Sequence, residues 1–314
     1  CFLTPSKMQN NRHAGYVAGI LAAAFYGLNP LFALPLFQGG MDTWSILLFR
    51  YLLSLPMLAM MLWRQGISFG INRYEARELF LLGMLMAGSS ALLYFAYNYM
   101  DAGIASTILF VYPILTAVMM AVKYGERMHW LVGMCLMMAS LGIYILSTSG
   151  QEGDAHVTGT GVILSILSAL AYAFYLTFIN KGTLQGMPSV KVTFYVLTMG
   201  CLMLVVGVCL QGHLTIPHGW YWTCSLGSAL FPTTLSLALT GIAINRIGST
   251  ETAILGATEP VTAVIVGIIV FSEHITMQSA CGILLIVISV SIVVAKDKIK
   301  RHSHKEACHM RKLT

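Results

Sequence analysis

Apolar residues in this chain fall into ten runs of about 17–25 residues, each closed by a short polar stretch. The runs occupy residues 16–37, 44–63, 79–100, 104–122, 130–146, 159–179, 192–210, 220–244, 252–271 and 277–295. A helix rises about 1.5 Å per residue, so each run matches a hydrocarbon core about 30 Å thick. A single segment crossing that core must satisfy its own backbone hydrogen bonds, which a helix does. The pattern predicts an all-α integral membrane protein with ten transmembrane helices.

The runs also repeat. Asn98, Pro113 and Glu126 recur without a gap as Asn245, Pro260 and Glu273. An apolar stretch ending in a lysine, then Tyr124, Gly125 and Glu126, answers one ending in Phe271, Ser272 and Glu273. Five spans per unit is an odd number, so the two units must lie upside-down to each other. The expected division is a cytoplasmic segment 1–13, a first repeat 14–148, an extracytoplasmic linker 149–156, a second repeat 157–296 and a basic cytoplasmic tail 297–314. Inversion puts Tyr112 and Glu259 in equivalent places, each just before its proline and near the midplane.

Composition agrees with spans. Hydrophobic residues make up 57% and charged residues 10%, with mean hydropathy +0.77. Soluble chains carry about 25% charged residues. Every Lys and Arg except Arg50 lies outside the spans, in alternate loops or the termini. The remaining loops hold Asp42, Asp101, Glu152, Asp154 and Glu273 instead. Basic loops stay cytoplasmic, so both termini are expected there. The net charge of +6 then sits mostly in a tail at the inner leaflet, where anionic lipids are the expected partners, not nucleic acid. The first span is too long for a signal-peptide core, and Met8 is the expected natural start. The seven cysteines show no metal spacing. His302, His304, Cys308 and His309 are metal-ligand types, but in a basic tail they are expected to be solvated. No metal and no cofactor are expected.

Candidate chemistry lies in the few polar groups inside the spans. Arg50 and Glu259 are the only full charges well inside them. Such charges cost about 3 kcal/mol at the bilayer centre and so face the bundle interior. Their backbones differ in depth by about 8–10 Å, which a direct ion pair or a water can bridge. Pro113 and Pro260 each remove a donor at mid-span and free a carbonyl one turn earlier, as a bend at a binding site requires. Span 6 carries Ser165, Ser168, Tyr172 and Tyr175 on one face, and span 3 carries Ser90, Tyr94, Tyr97 and Asn98. Tyr26 and Asn29 stand in span 1. Together they read as an aromatic, hydrogen-bonding cavity or as interhelical packing. The five tryptophans fall at span ends, as interfacial anchors do. No zinc-protease helix, phosphate-binding loop or intramembrane aspartate pair is present, so enzymatic chemistry is not expected.

Two five-span repeats, Phe25-Tyr26-Gly27-Leu28-Asn29-Pro30 in the first span, Arg50 in the second, and the paired Pro113…Glu126 and Glu259-Pro260…Glu273 segments resemble the EamA-type drug/metabolite transporters. The resemblance runs from about residue 14 to 296, and it implies a central cavity lined by spans 1, 3, 4, 6, 8 and 9. It implies a secondary transporter of the bacterial inner membrane that exports a small organic, amino-acid-like metabolite. The polar groups and the repeat themselves give Tyr26, Asn29, Arg50, Tyr94, Asn98, Tyr112, Tyr172, Tyr175 and Glu259 as substrate-binding candidates. Protons are the candidate coupling ion. A channel-like facilitator and an intramembrane hydrolase are the alternatives. The solute itself, the direction of transport and the oligomeric state are not written in the chain.

Overall fold

The computed structural model describes residues 5–124, 130–149, 157–181, 184, 186–247, 252, 255–273 and 276–292. Glu126, most of the linker and the tail 297–314 lie outside the described residues. Helices run α1 (Pro5–Gly27), α2 (Asn29–Gln38), α3 (Thr43–Arg64), α4 (Arg73–Ala96), α5 (Ala102–Leu109), α6 (Tyr112–Tyr124), α7 (Trp130–Ser149), α8 (Gly159–Lys181), α9 (Ser189–Gln211), α10 (Tyr221–Ala229), a π-helical turn (Leu230–Leu235), α11 (Ser236–Ile247), α12 (Thr258–Phe271) and α13 (Met277–Ile292). Among the described residues the only β pairing is an isolated bridge between Met100 and Val157.

Seven stretches are long and apolar enough to cross a membrane: His13–Gln38, Thr43–Arg64, Arg73–Ala96, Ala102–Lys123, Gly159–Ile179, Ser189–Gln211 and Tyr221–Ile244. Gly133–Ile145, Thr258–Phe271 and Met277–Ile292 are shorter apolar helices. Local chemistry sets several ends. Asp42 caps α3 by accepting from the Ser45 backbone N–H at 3.0 Å. Asn72 and Glu75 form a capping box that starts α4 at Arg73, a turn and a half before its apolar run begins. Gly212, at φ 83°, closes α9 in the left-handed conformation that favours glycine.

Three of these stretches are broken in mid-course, each beside a proline, and one shorter apolar helix starts beside another. α1 gives way to α2 at Leu28, with Pro30 in the first turn of α2. α5 stops at Leu109 and α6 restarts at Tyr112, just before Pro113. The π turn between α10 and α11 contains Pro232. α12 starts at Thr258, two residues before Pro260. Proline has no N–H to give and its ring crowds the preceding turn, so the helix ladder opens there.

Lipid offers little hydrophobic drive between helices, so packing rests on close approach and interhelical hydrogen bonds. α4 lies between α8 and α9, α1 packs on α11 and α12, α3 on α9, and α5 on α12 and α8. At the α4–α8 crossing Ser89 Oγ donates to Ser168 O at 2.9 Å and Ser168 Oγ returns a bond to Ser89 O at 2.7 Å. Such bonds average about 0.6 kcal/mol in membranes. A Cβ on Gly83 would stand 2.8 Å from Val196 O, so its absence lets α4 touch the α9 backbone. α3 buries Leu47, Tyr51, Ser54, Leu58 and Leu62 along one face and turns Leu52, Met60 and Trp63 outward. Leu202, Val206, Leu210, Ile265 and Ile269 are likewise exposed, which suits a surface solvated by lipid.

Trp44, at the start of α3, meets Phe95, at the end of α4, with ring centroids 5.5 Å apart. One end of the bundle therefore carries the turns around 38–43, 97–101 and 212–220. There Thr215 Oγ1 donates to Asp42 Oδ2 at 2.7 Å and Ser45 Oγ accepts from the Thr215 N–H at 3.0 Å. At the opposite end Lys191 Nζ donates to Gly70 O at 2.7 Å and Tyr195 OH bonds Phe69 O.

Candidate functional site

Two of the helix breaks meet at Arg50. Its side chain is almost wholly buried at 3% exposure. Nε donates to Thr233 Oγ1 in the π turn at 2.9 Å. Nη1 donates to Asn29 Oδ1 at 2.9 Å and to Tyr94 OH at 3.0 Å, and Tyr94 OH itself donates to Asn29 Oδ1 at 2.9 Å. Each partner is neutral, and they come from three separate pieces of chain. The break before Pro30 brings Asn29 inward. The π turn, stitched by Thr233 Oγ1 donating to Ser228 O at 3.1 Å, does the same for Thr233. Nη2 makes no hydrogen bond among the described residues.

Arg50, Asn29 and Tyr94 line one wall of a cavity, and Tyr26, Tyr172, Ser89 and Ser90 line the rest with Met86, Leu93 and Leu109. The open space is no more than one water molecule needs, so the cavity is closed down on its own side chains. Tyr112 meets Tyr172 edge-to-face at 4.7 Å, and Tyr172 stacks on Tyr175 at 5.5 Å.

Glu259 is buried at 8% exposure, in the first turn of α12. A Cβ on Gly27 would come within 2.5 Å of Glu259 O, so the bare glycine lets α1 touch α12 at this residue. Glu259 and Arg50 do not form an ion pair; Arg50 turns to neutral oxygens instead. Tyr26 stands within electrostatic reach of both, and Tyr112 within reach of Glu259.

Tyr26, Asn29, Arg50, Tyr94 and Tyr172 line the cavity, with Tyr112 and Glu259 adjoining it. Two candidates lie elsewhere. Asn98 is exposed in the turn beyond α4, because that helix stops at Ala96, short of the apolar run's end. Tyr175 packs against a separate apolar cluster that includes Leu79 and Val196, and it meets the cavity-lining Tyr172 by stacking. Pro113 and Pro260 sit at the breaks. Thr233 was not foreseen; Pro232 in the middle of an apolar run was the available signal.

Two carboxylates outside the spans have distinct settings. Burial opposes ionisation of Asp42, but bonds from the Thr215 and Ser45 hydroxyls and the Ser45 N–H outweigh it and hold the carboxyl below its ordinary value. Glu273 is pushed up to about 7 by burial and then by Asp101, against bonds from the Ala102 and Gly103 N–H groups.

The EamA-like transporter family model matches the chain twice, over residues 13–148 and 159–295. A Synechocystis protein known only as an uncharacterised transporter is 28% identical over 79% of this chain and 78% of its own length. The threonine/homoserine exporter RhtA of Salmonella typhimurium is 24% identical over 70% of this chain and 72% of its own. A crystal structure sharing 16% identity superposes with a TM-score of 0.66 over 92% of this chain and 99% of its own, which speaks for the fold alone. The chain belongs to the EamA-like transporter family.

Proposed function

We propose that this transporter is a secondary carrier that exports a small amino-acid-like metabolite across the bacterial inner membrane, with both termini cytoplasmic. In this reading ten helices form two inverted five-helix repeats, residues 14–148 and 157–296, that rock against each other around a midplane site. The observation that carries it is a buried guanidinium, Arg50, and a buried carboxyl group, Glu259, that are not bonded to each other. Arg50 keeps the two N–H groups of Nη2 for a ligand, and a charge-assisted bond from them suits a carboxylate. Glu259 offers the complementary pole for an ammonium group, with Tyr26 within electrostatic reach of both. A zwitterion satisfies both, and relatives named for threonine and homoserine export are in keeping with such a solute.

The test is counterflow in proteoliposomes loaded with single amino acids. Flux should saturate with solute concentration. Arg50→Lys should lower apparent affinity by roughly 10–100-fold, the loss of a charge-assisted hydrogen bond of about 1.5–3 kcal/mol. Glu259→Gln should keep the fold and lose counterflow. Flux rising linearly with concentration would make the protein a channel, and a chemically altered solute would make it an enzyme.

A further inference from the structure

Several hydroxyls inside the spans turn back on their own helix. Thr107, Thr116, Thr177, Thr198 and Thr262 each donate to the carbonyl one turn earlier, at 2.7–2.8 Å. Ser90 of α4 does not. It lines the cavity, and its one hydrogen-bond partner among the described residues is Tyr51 OH of α3, at 3.1 Å. Tyr51 is 1% exposed and has no other hydrogen-bond partner among the described residues. Its ring is held from behind by α9, where a Cβ on Gly200 would stand 2.9 Å from Tyr51 Cε2.

Two hydroxyls that share one bond leave one proton over. Were Ser90 the donor, that proton would belong to Tyr51, shut in the core with no acceptor among the described residues. A buried donor left unmet costs more than an ordinary hydrogen bond contributes. Tyr51 therefore donates to Ser90, and the Ser90 O–H is left for the cavity. The same two helices fix where it stands. Arg50 and Tyr51 are consecutive on α3, while Ser90 and Tyr94 lie one turn apart on one face of α4. Arg50 reaches Tyr94 and Tyr51 reaches Ser90, so the guanidinium and the open hydroxyl occupy neighbouring rungs of one contact.

We propose that Ser90, aimed by Tyr51, reads the side chain of the solute, and that the carrier prefers amino acids bearing a side-chain hydroxyl. This rests on the zwitterion reading of the same cavity: with the carboxylate on Arg50 and the ammonium at Glu259, the side chain is the part left to meet Ser90. Ser90 offers a donor and a lone pair, and a solute hydroxyl answers with a lone pair and a donor. A methyl group in that place leaves the Ser90 O–H unmet, and a site with an unmet polar group rejects the analogue that lacks its partner. Tyr51 touches no solute here and is a positioning residue. Without its bond, the Ser90 O–H is free to swing back to Met86 O, as the threonines do.

The test is counterflow of labelled serine in proteoliposomes holding the full-length protein, with unlabelled competitors paired so that only a hydroxyl differs: serine against alanine, and threonine against α-aminobutyrate. In wild type the hydroxylated member of each pair should compete roughly 3–10-fold better. Ser90→Ala should bring both ratios close to unity. Tyr51→Phe should lower them part of the way, and so should Ser90→Cys, which keeps nearly the same size with a weak donor. Ratios near unity in wild type, or ratios unchanged in Ser90→Ala or Tyr51→Phe, would overturn the proposal and leave the amino-acid carrier standing. An equal loss of affinity for all four solutes in Ser90→Ala would place Ser90 on the carboxylate and overturn it too. Failure of both Ser90 variants to fold would do the same, by making Ser90 a packing residue. Counterflow of other amino acids but not of serine would overturn the side-chain reading alone; counterflow of no amino acid would sink the zwitterion reading with it.

Discussion

Arg50 holds its place through neutral oxygens on three pieces of chain, which leaves its charge available to whatever enters the cavity. Thr233→Val keeps the shape and removes the Nε partner. It should cost about 1–3 kcal/mol in melting stability, since a buried donor then goes unmet. Glu273 gives a pH prediction. With its carboxyl raised to about 7, Glu273 in contact with the start of α5 binds a proton more readily than a solvated carboxylate at its ordinary 4.5. Lowering the pH from about 7 toward 4.5 should therefore favour that contact, and the effect should saturate below that window. From the α5 side the facing ionisable group is Asp101; α12 contributes Gly267 and Val264, which carry none. Exchange over 98–109, corrected for its intrinsic pH dependence, should slow with acid in wild type and lose that response in Glu273→Gln.

At the scale of elements, the start of α3 and the 212–220 turn share one clamp, Asp42 with Ser45 and Thr215. Asp42→Ala should destabilise the protein by about 1 kcal/mol, read as a lower melting temperature. The depressed carboxyl contributes above its ordinary 3.8 and loses its contribution as pH falls through the lower folded value. Gly27→Ala should cost about 1–3 kcal/mol, because the new Cβ meets backbone at Glu259 O and cannot rotate away. The breaks at Pro113 and Pro260 were legible in the sequence because the two prolines fall in mid-run at one repeat spacing, whereas Pro35 and Pro56 lie inside α2 and α3. The π turn was only half legible: Pro232 marks its place, but the added residue leaves apolarity unchanged, so hydropathy passes through it unmarked. Asn98 was misplaced for a related reason. Hydropathy continues through Tyr97, Tyr99 and Met100, while the helix itself stops at Ala96.

For the whole molecule, the apolar runs were legible because a bilayer leaves a chain few options. Which side chains would converge was only partly so. Repeat and proline spacing pointed to Tyr112 and Glu259, but the turn of Arg50 toward neutral partners depends on how two broken helices and the unbroken α4 dock on α3. The proposed orientation has its own check. A membrane-impermeant label on single cysteines in 149–156 should react from outside intact cells, and in 297–314 only after permeabilisation. Reaction from the wrong side would reverse the assignment of both ends.

The π turn at Leu230–Leu235 has a consequence for ancestry as well as for shape. A wide turn is how a helix absorbs one surplus residue without rotating the turns beyond it, so α10 and α11 keep the faces an unbroken helix would have given them. Removing Pro232 itself should then heal the ladder. The expected product inserts and packs normally, yet has lost the inward step that delivers Thr233 to Arg50. A sequence one residue shorter here would mark a relative that holds its arginine by another route, and a chain-length difference of one would be the visible trace of a changed binding site.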